Sequence, residues 1–93
     1  MLTLKMKFPG NPDYGQREDI AAPFVARDIC PTRLVDLAME KRDSTGAGGG
    51  NWNAVLLKGE KVVARISYNG RVWPDAEWTP GMKDLTPAEI AAL

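Results

Sequence analysis

The sequence predicts an α+β fold: an antiparallel sheet of three or four strands in the order β-α-β-β-β-α, with one main helix and a short C-terminal helix. Three observations predict it. Residues 51–73 hold three apolar stretches separated by Gly59-Glu60 and Asn69-Gly70, dipeptides suited to tight hairpins. Leu34, Leu37, Ala38 and Lys41 recur at i, i+3, i+4 and i+7, the spacing of an amphipathic helix. Strands that follow one another across tight turns pair antiparallel, which leaves the helices to one side.

Leu2, Leu4, Met6 and Phe8 alternate with Thr3, Lys5 and Lys7, the period of a half-buried strand over 2–8. Pro9-Gly10-Asn11-Pro12 ends it, since proline cannot donate to a ladder. This strand is expected to join the sheet as its fourth member. Residues 9–30 are expected to be irregular, because Pro12, Gly15 and Pro23 interrupt any long element. Their apolar Ile20, Phe24, Val25 and Ile29 are expected to wrap the core, with room for a short strand near 23–27.

A helix is predicted over 32–42. Pro31 suits its first turn, Thr32 can cap it, and Val35 and Met39 widen its apolar stripe. Lys41 and Arg42 sit in the last turn, where they complement the helix dipole. The Gly-rich loop 43–51 reads as a flexible connector.

In the meander 51–73, a two-residue turn at Gly59-Glu60 pairs Leu57 with Val62, Val55 with Ala64 and Asn53 with Ile66. Val55, Leu57, Val62, Ala64 and Ile66, with Trp73 beside Ile66, then form the core face. A type I′ turn at Asn69-Gly70 would bring Arg71-Val72-Trp73 back beside Ile66-Ser67-Tyr68. The irregular tail 74–85 carries Trp78 and is broken by Pro80-Gly81. A short helix over 87–93 follows: Thr86 and Glu89 form a capping box, Pro87 takes the first helical position, and Leu85 staples onto Ile90.

Ninety-three residues make one domain, 1–93, with a modest core. Twelve basic and twelve acidic residues cancel, so the chain shows neither the basic excess of a dedicated nucleic-acid binder nor the acidity of a nucleic-acid mimic. A single cysteine forbids an intrachain disulfide and points to a reducing cytoplasm, the host's if the chain is phage-encoded. No apolar run approaches the roughly 20 residues of a membrane span, so no membrane partner is expected.

Histidine is absent, which removes the commonest general base and metal ligand. The glycine-rich run 46–50 leaves a helix and enters a strand, with Asn51-Trp52 where a phosphate loop would place its lysine. Cys30 has no histidine to activate it and is expected to be a small buried hydrophobe. Glu18-Asp19 and the Asp75, Glu77 pair read as solvated surface. No catalytic residue, metal or cofactor is expected, and the chain does not read as an enzyme.

The second face of the meander, with Trp52, Ala54, Leu56, Val63, Arg65 and Val72, is apolar for a solvent face. Arg65 lies diagonal to Trp52, where the two could stack. Two explanations stand: residues 10–30 or 74–84 cover this face, or it binds a partner. The candidate partner-binding residues are Trp52, Leu56, Val63, Arg65 and Trp78, with Lys58, Lys61 and Arg71. Residues 58–71 carry four cations against Glu60, net +3, and residues 74–93 carry four carboxylates against Lys83, net −3.

Double-stranded-RNA-binding domains share the order α-β-β-β-α. That family starts its last helix with several lysines, whereas residues 82–93 hold only Lys83, so the match fails. In size and lack of catalytic chemistry, without a shared motif, the chain resembles small accessory proteins of phages and mobile elements, anti-CRISPR inhibitors among them. The resemblance implies a non-enzymatic protein-binding module that blocks a partner's surface. The alternative is nucleic-acid binding through the basic hairpin, Lys58, Lys61, Arg65 and Arg71. An open edge on the third strand would also allow a homodimer.

Overall fold

The alternation of residues 2–8 does what period 2 requires. Leu2, Leu4, Met6 and Phe8 point to one side of β1 (Leu2–Phe8) and are all buried. The computed structural model, which describes residues 2–93, places β1 inside a five-stranded antiparallel sheet. The other strands are β2 (Ala21–Ile29), β3 (Asn53–Lys58), β4 (Lys61–Ile66) and β5 (Val72–Pro74), in the spatial order β2-β1-β3-β4-β5. Helix α1 (Leu34–Thr45) and the short α2 (Pro87–Ala91) complete the fold.

The α+β class agrees with the sequence reading, but the sheet has five strands rather than three or four. The added one is β2, nine residues long, where an irregular segment with a short strand near 23–27 was expected. Two bulges explain why its sequence does not alternate. Leu4, Lys5 and Met6 oppose Ala26, Val25 and Phe24 in register, but Leu2 opposes Ile29 and Phe8 opposes Ala21. One extra β2 residue is thus accommodated at each end. Asp28 lies in the first bulge at φ +55, the one non-glycine residue with positive φ among those described. Pro23 is tolerated because β2 pairs on one side only.

A bulge also corrects the faces of the meander. Leu57 opposes Val62 as expected, but Leu56 then opposes Ala64 and Val55 opposes Arg65, leaving Val63 as the extra residue. A slip of one residue exchanges the two faces of a strand. Ala54 and Leu56 therefore join Ala64 and Ile66 in the core, while Val55 and Leu57 turn to the other side.

The last hairpin shifts likewise. The Gly70 N–H bonds Ser67 O at 2.9 Å and the Ser67 N–H bonds Arg71 O at 2.8 Å, with Gly70 at φ +87. This is a turn centred on Tyr68-Asn69 followed by a left-handed glycine, not a type I′ turn on Asn69-Gly70. Val72 accordingly pairs with Ile66 and is buried, and Trp73 pairs with Arg65, the reverse of the expected assignment.

The helical segment begins later and ends later than predicted. Pro31–Arg33 is a 3-10 turn, and Thr32 caps nothing: its hydroxyl lies 3.2 Å from Cys30 Sγ. The α-helix proper runs to Thr45, whose hydroxyl bonds Lys41 O at 2.8 Å, and Gly46 at φ +70 ends it. Leu34 and Ala38 are fully buried against the sheet, and Lys41 Nζ lies 4.3 Å over the Phe24 ring.

The connector expected to be flexible is built around Asn51 instead. Residues Gly49–Asn51 form a 3-10 turn, and the Asn51 side chain is the one buried polar group among the described residues. Its Nδ2 donates to Pro9 O at 2.9 Å and to Gln16 Oε1 at 2.8 Å, and its Oδ1 accepts from the Gly48 N–H. The loops before β2 and before β3 are thereby tied together.

The capping box forms as predicted, with Thr86 N to Glu89 Oε1 at 3.0 Å and Glu89 N to Thr86 Oγ1 at 3.2 Å. The helix stops at Ala91, and Ile90 anchors it in the core with Leu85 packed alongside. Both helices lie on the side of the sheet that carries Leu4, Met6, Leu56, Ile66 and Val72. The opposite face has no helix over it.

Candidate functional site

The helix-free face is ordered by the strand register. Val25, Lys5, Val55, Arg65 and Trp73 are consecutive cross-strand partners and form one row across all five strands. Thr3, Leu57 and Val62 form a second row, and Lys7 and Asn53 begin a third. Val55, Leu57, Val62 and Trp73 are half-buried, whereas Lys5, Lys7, Asn53 and Arg65 are exposed.

One depression lies on this face, and a second opens where the face meets the ends of β3 and β4. A groove of about 170 Å³ is lined by Lys5, Lys7, Asn53, Val55, Leu57 and Val62. A larger cleft of about 340 Å³ lies between Trp52–Ala54 and Arg65–Ser67, with Trp73, Pro74, Ala76, Trp78 and Met82 on its far wall. Asn53 lines both, so the two adjoin.

The larger cleft exists because two elements part. The β3–β4 pairing stops at Val55 and Arg65. Beyond that point the indole N–H of Trp52 bonds Ile66 O at 2.8 Å, taking up a carbonyl that a continuing ladder would have used. Trp52 is fixed there by edge-on contacts with Phe8, centroids 6.4 Å apart, and Tyr68, 5.9 Å apart. Tyr68 is held in turn by Arg42, whose Nη1 bonds Tyr68 O at 2.9 Å and whose guanidinium lies 5.2 Å from the ring centre.

The outer wall comes from the tail. Thr79-Pro80-Gly81-Met82 is a turn with Met82 N to Thr79 O at 3.0 Å and Gly81 at φ +87, the geometry Pro-Gly favours. It reverses the chain so that the Leu85 N–H reaches Val72 O at 2.7 Å, beside β5. Trp78 stands in this loop with 70% of its surface exposed.

The expected Arg65–Trp52 stack does not form. Arg65 Nε instead pairs with Asp75 Oδ1 at 3.3 Å, on the rim of the cleft. Both side chains are part-exposed, so the pair adds little to stability. Ser67 Oγ is occupied by Asn69 and by the backbone of Arg71. Among the described residues no three His, Cys, Asp or Glu side chains gather as a metal site.

Of the residues singled out from sequence, Trp52, Arg65 and Trp78 meet in this cleft. Leu56 is fully buried in the core, and Val63, half-buried at the bulge, packs against it. Lys58 and Lys61 face each other beside the Gly59-Glu60 turn. Arg71 lies beyond the other end of β4, about 20 Å away along a six-residue strand. The four hairpin cations therefore do not form one cluster.

Lys5, Lys7, Val55, Leu57, Val62, Trp73 and Met82 were not anticipated as site residues. The alternation of residues 2–8 already placed both lysines on the wet side of their strand. Only the β1–β3 register shows that Lys5 lies beside Val55 and Lys7 beside Asn53.

Cys30, expected to be buried, is exposed. The Thr32 hydroxyl and then the Thr32 backbone hydrogen-bond its sulfur and hold the thiol below the usual cysteine range.

No protein-family model matches the chain, and no curated protein or solved structure is detectably similar to it.

Proposed function

We propose that this chain is a non-enzymatic protein-binding module that acts by occupying a partner's surface through the helix-free face of its sheet. One observation carries the reading: Trp52, Trp73, Trp78, Met82 and Arg65 surround a cleft of about 340 Å³. Tryptophan and arginine dominate binding energy where they surround a pocket that a partner's side chain can fill. A sheet with helices on one side alone also leaves apolar surface that a partner can dry. An inhibitor of the phage-accessory kind would work in this way, by covering a surface its target needs.

The basic hairpin supports a nucleic-acid reading less well. Lys58 and Lys61 are separated from Arg71 by the length of β4, and Arg65 is already paired with Asp75. A phosphate backbone needs a continuous row of cations.

The test is affinity capture from a lysate of the source organism with the chain as bait. Three baits are compared: the unaltered protein, Trp78→Ala with Arg65→Glu, and a control carrying Glu40→Arg on the exposed side of α1. A partner retained by the first and third but lost from the second supports the proposal. Equal retention by all three would place the interface elsewhere.

A further inference from the structure

We infer that the segment docking on this face is extended, acidic, and carries one large aromatic or aliphatic side chain. The inference rests on the proposed function and names the chemistry of its partner.

Charge complementarity is the first argument. Lys5 and Lys7 line the smaller groove and Arg65, paired with Asp75 on the rim, the larger one, and no carboxylate lines either. Neither lysine takes part in an ion pair among the described residues, and both are exposed. In a chain of zero net charge, this face therefore presents a local excess of positive charge to whatever lies on it.

Shape is the second argument. The row from Val25 to Trp73 crosses four inter-strand gaps of about 4.8 Å, or about 19 Å in all. An extended segment of about six residues spans that distance. One end would seat an anchor side chain among Trp73, Trp78 and Met82, and the other would bring carboxylates to Lys5 and Lys7. Single-stranded nucleic acid would also use tryptophans and cations. It fits less well because Lys5 and Lys7 are the two unpaired cations that line the grooves among the described residues, whereas a phosphate backbone needs a continuous row of them.

The experiment is selection of a phage-displayed library of random peptides about twelve residues long, twice the span of the row. The same selection is run on a Lys5→Glu, Lys7→Glu double variant and on Trp78→Ala, each first shown to be folded by its thermal unfolding. A dT oligonucleotide is titrated in parallel. The expected result is enrichment of peptides with net negative charge and an aromatic or large aliphatic residue. Their binding should weaken about tenfold or more in each variant and fall with added salt. Loss of the acidic preference in the lysine variant completes the expected pattern.

Enrichment of neutral or basic peptides, no enrichment at all, or an oligonucleotide bound more tightly than any selected peptide would overturn the inference. Peptides that need Trp78 but ignore the lysine substitutions leave the docking face standing and remove only its acidic partner. Peptides indifferent to every substitution remove the docking face itself.

Discussion

Asn51 shows how one side chain can settle a loop that composition leaves open. Its amide makes two donor bonds and accepts a third, and all three join segments distant in the chain or within the glycine-rich turn. Asn51→Ala leaves Pro9 O and the Gly48 N–H without these partners in a part-buried setting. The expected loss is about 1–3 kcal/mol, read as a lower urea midpoint with an unchanged m-value. Glu89 gives a second residue-scale prediction. The Thr86 backbone and then its side chain hold the Glu89 carboxyl below the ordinary glutamate value. A depressed folded-state pKa stabilises above the unfolded value, and that contribution disappears as pH falls through the folded one. The capping box of α2 should thus open only in acid. The Thr86 amide proton shift should titrate with a midpoint below the ordinary glutamate value, and Glu89→Gln should abolish the titration.

At the scale of elements, the existence of β1, α1, the β3–β4 hairpin and α2 was legible in the sequence, while the faces of the meander were not. Period 2 assigns a face only while the register holds. Val63 adds a residue opposite Leu56-Leu57, and Gly70 adds one after the Tyr68-Asn69 turn. Neither leaves a mark in the hydrophobic pattern, because Val62-Val63 and Val72-Trp73 each place two apolar residues in succession and suit either phase. Strand β2 was illegible for the same reason, its alternation being interrupted twice and crossed by Pro23. The turn geometry makes a prediction that separates the two hairpins. In a type I′ turn both Asn69 and Gly70 would need positive φ; here Gly70 alone does. A Cβ on Gly70 would also meet Met39 Sδ at 3.3 Å. Gly70→Ala should therefore destabilise by about 1–2 kcal/mol, whereas Asn69→Ala should cost clearly less, as measured by thermal unfolding of the two variants. Equal losses would restore the type I′ turn.

Across the whole molecule, the sheet protects its edges and leaves one face free, and these two facts bear on how the protein can associate. The sequence reading allows a homodimer through an open edge on the third strand of the meander, which is β5. Strand β2 is a poor template for such pairing: Pro23 lacks an N–H, and its two bulges break the straight run of donors and acceptors that a second strand must match. Strand β5 is three residues long, ends in Pro74, and has its Val72 carbonyl occupied by the Leu85 N–H. Self-association through either edge would first have to undo these features. The protein is thus predicted to be a monomer in light scattering at concentrations of about 10 μM, about a hundredfold below the dissociation constant of weak surface contacts of about 1 mM affinity. A dimer at that concentration would have one uncommitted surface left to form it, the row from Val25 to Trp73. Trp78→Ala with Arg65→Glu would then return it to a monomer. A dimer indifferent to those substitutions would mean that an edge pairs after all, and the bulges of β2 would have to be read as features of its backbone path rather than as barriers to pairing.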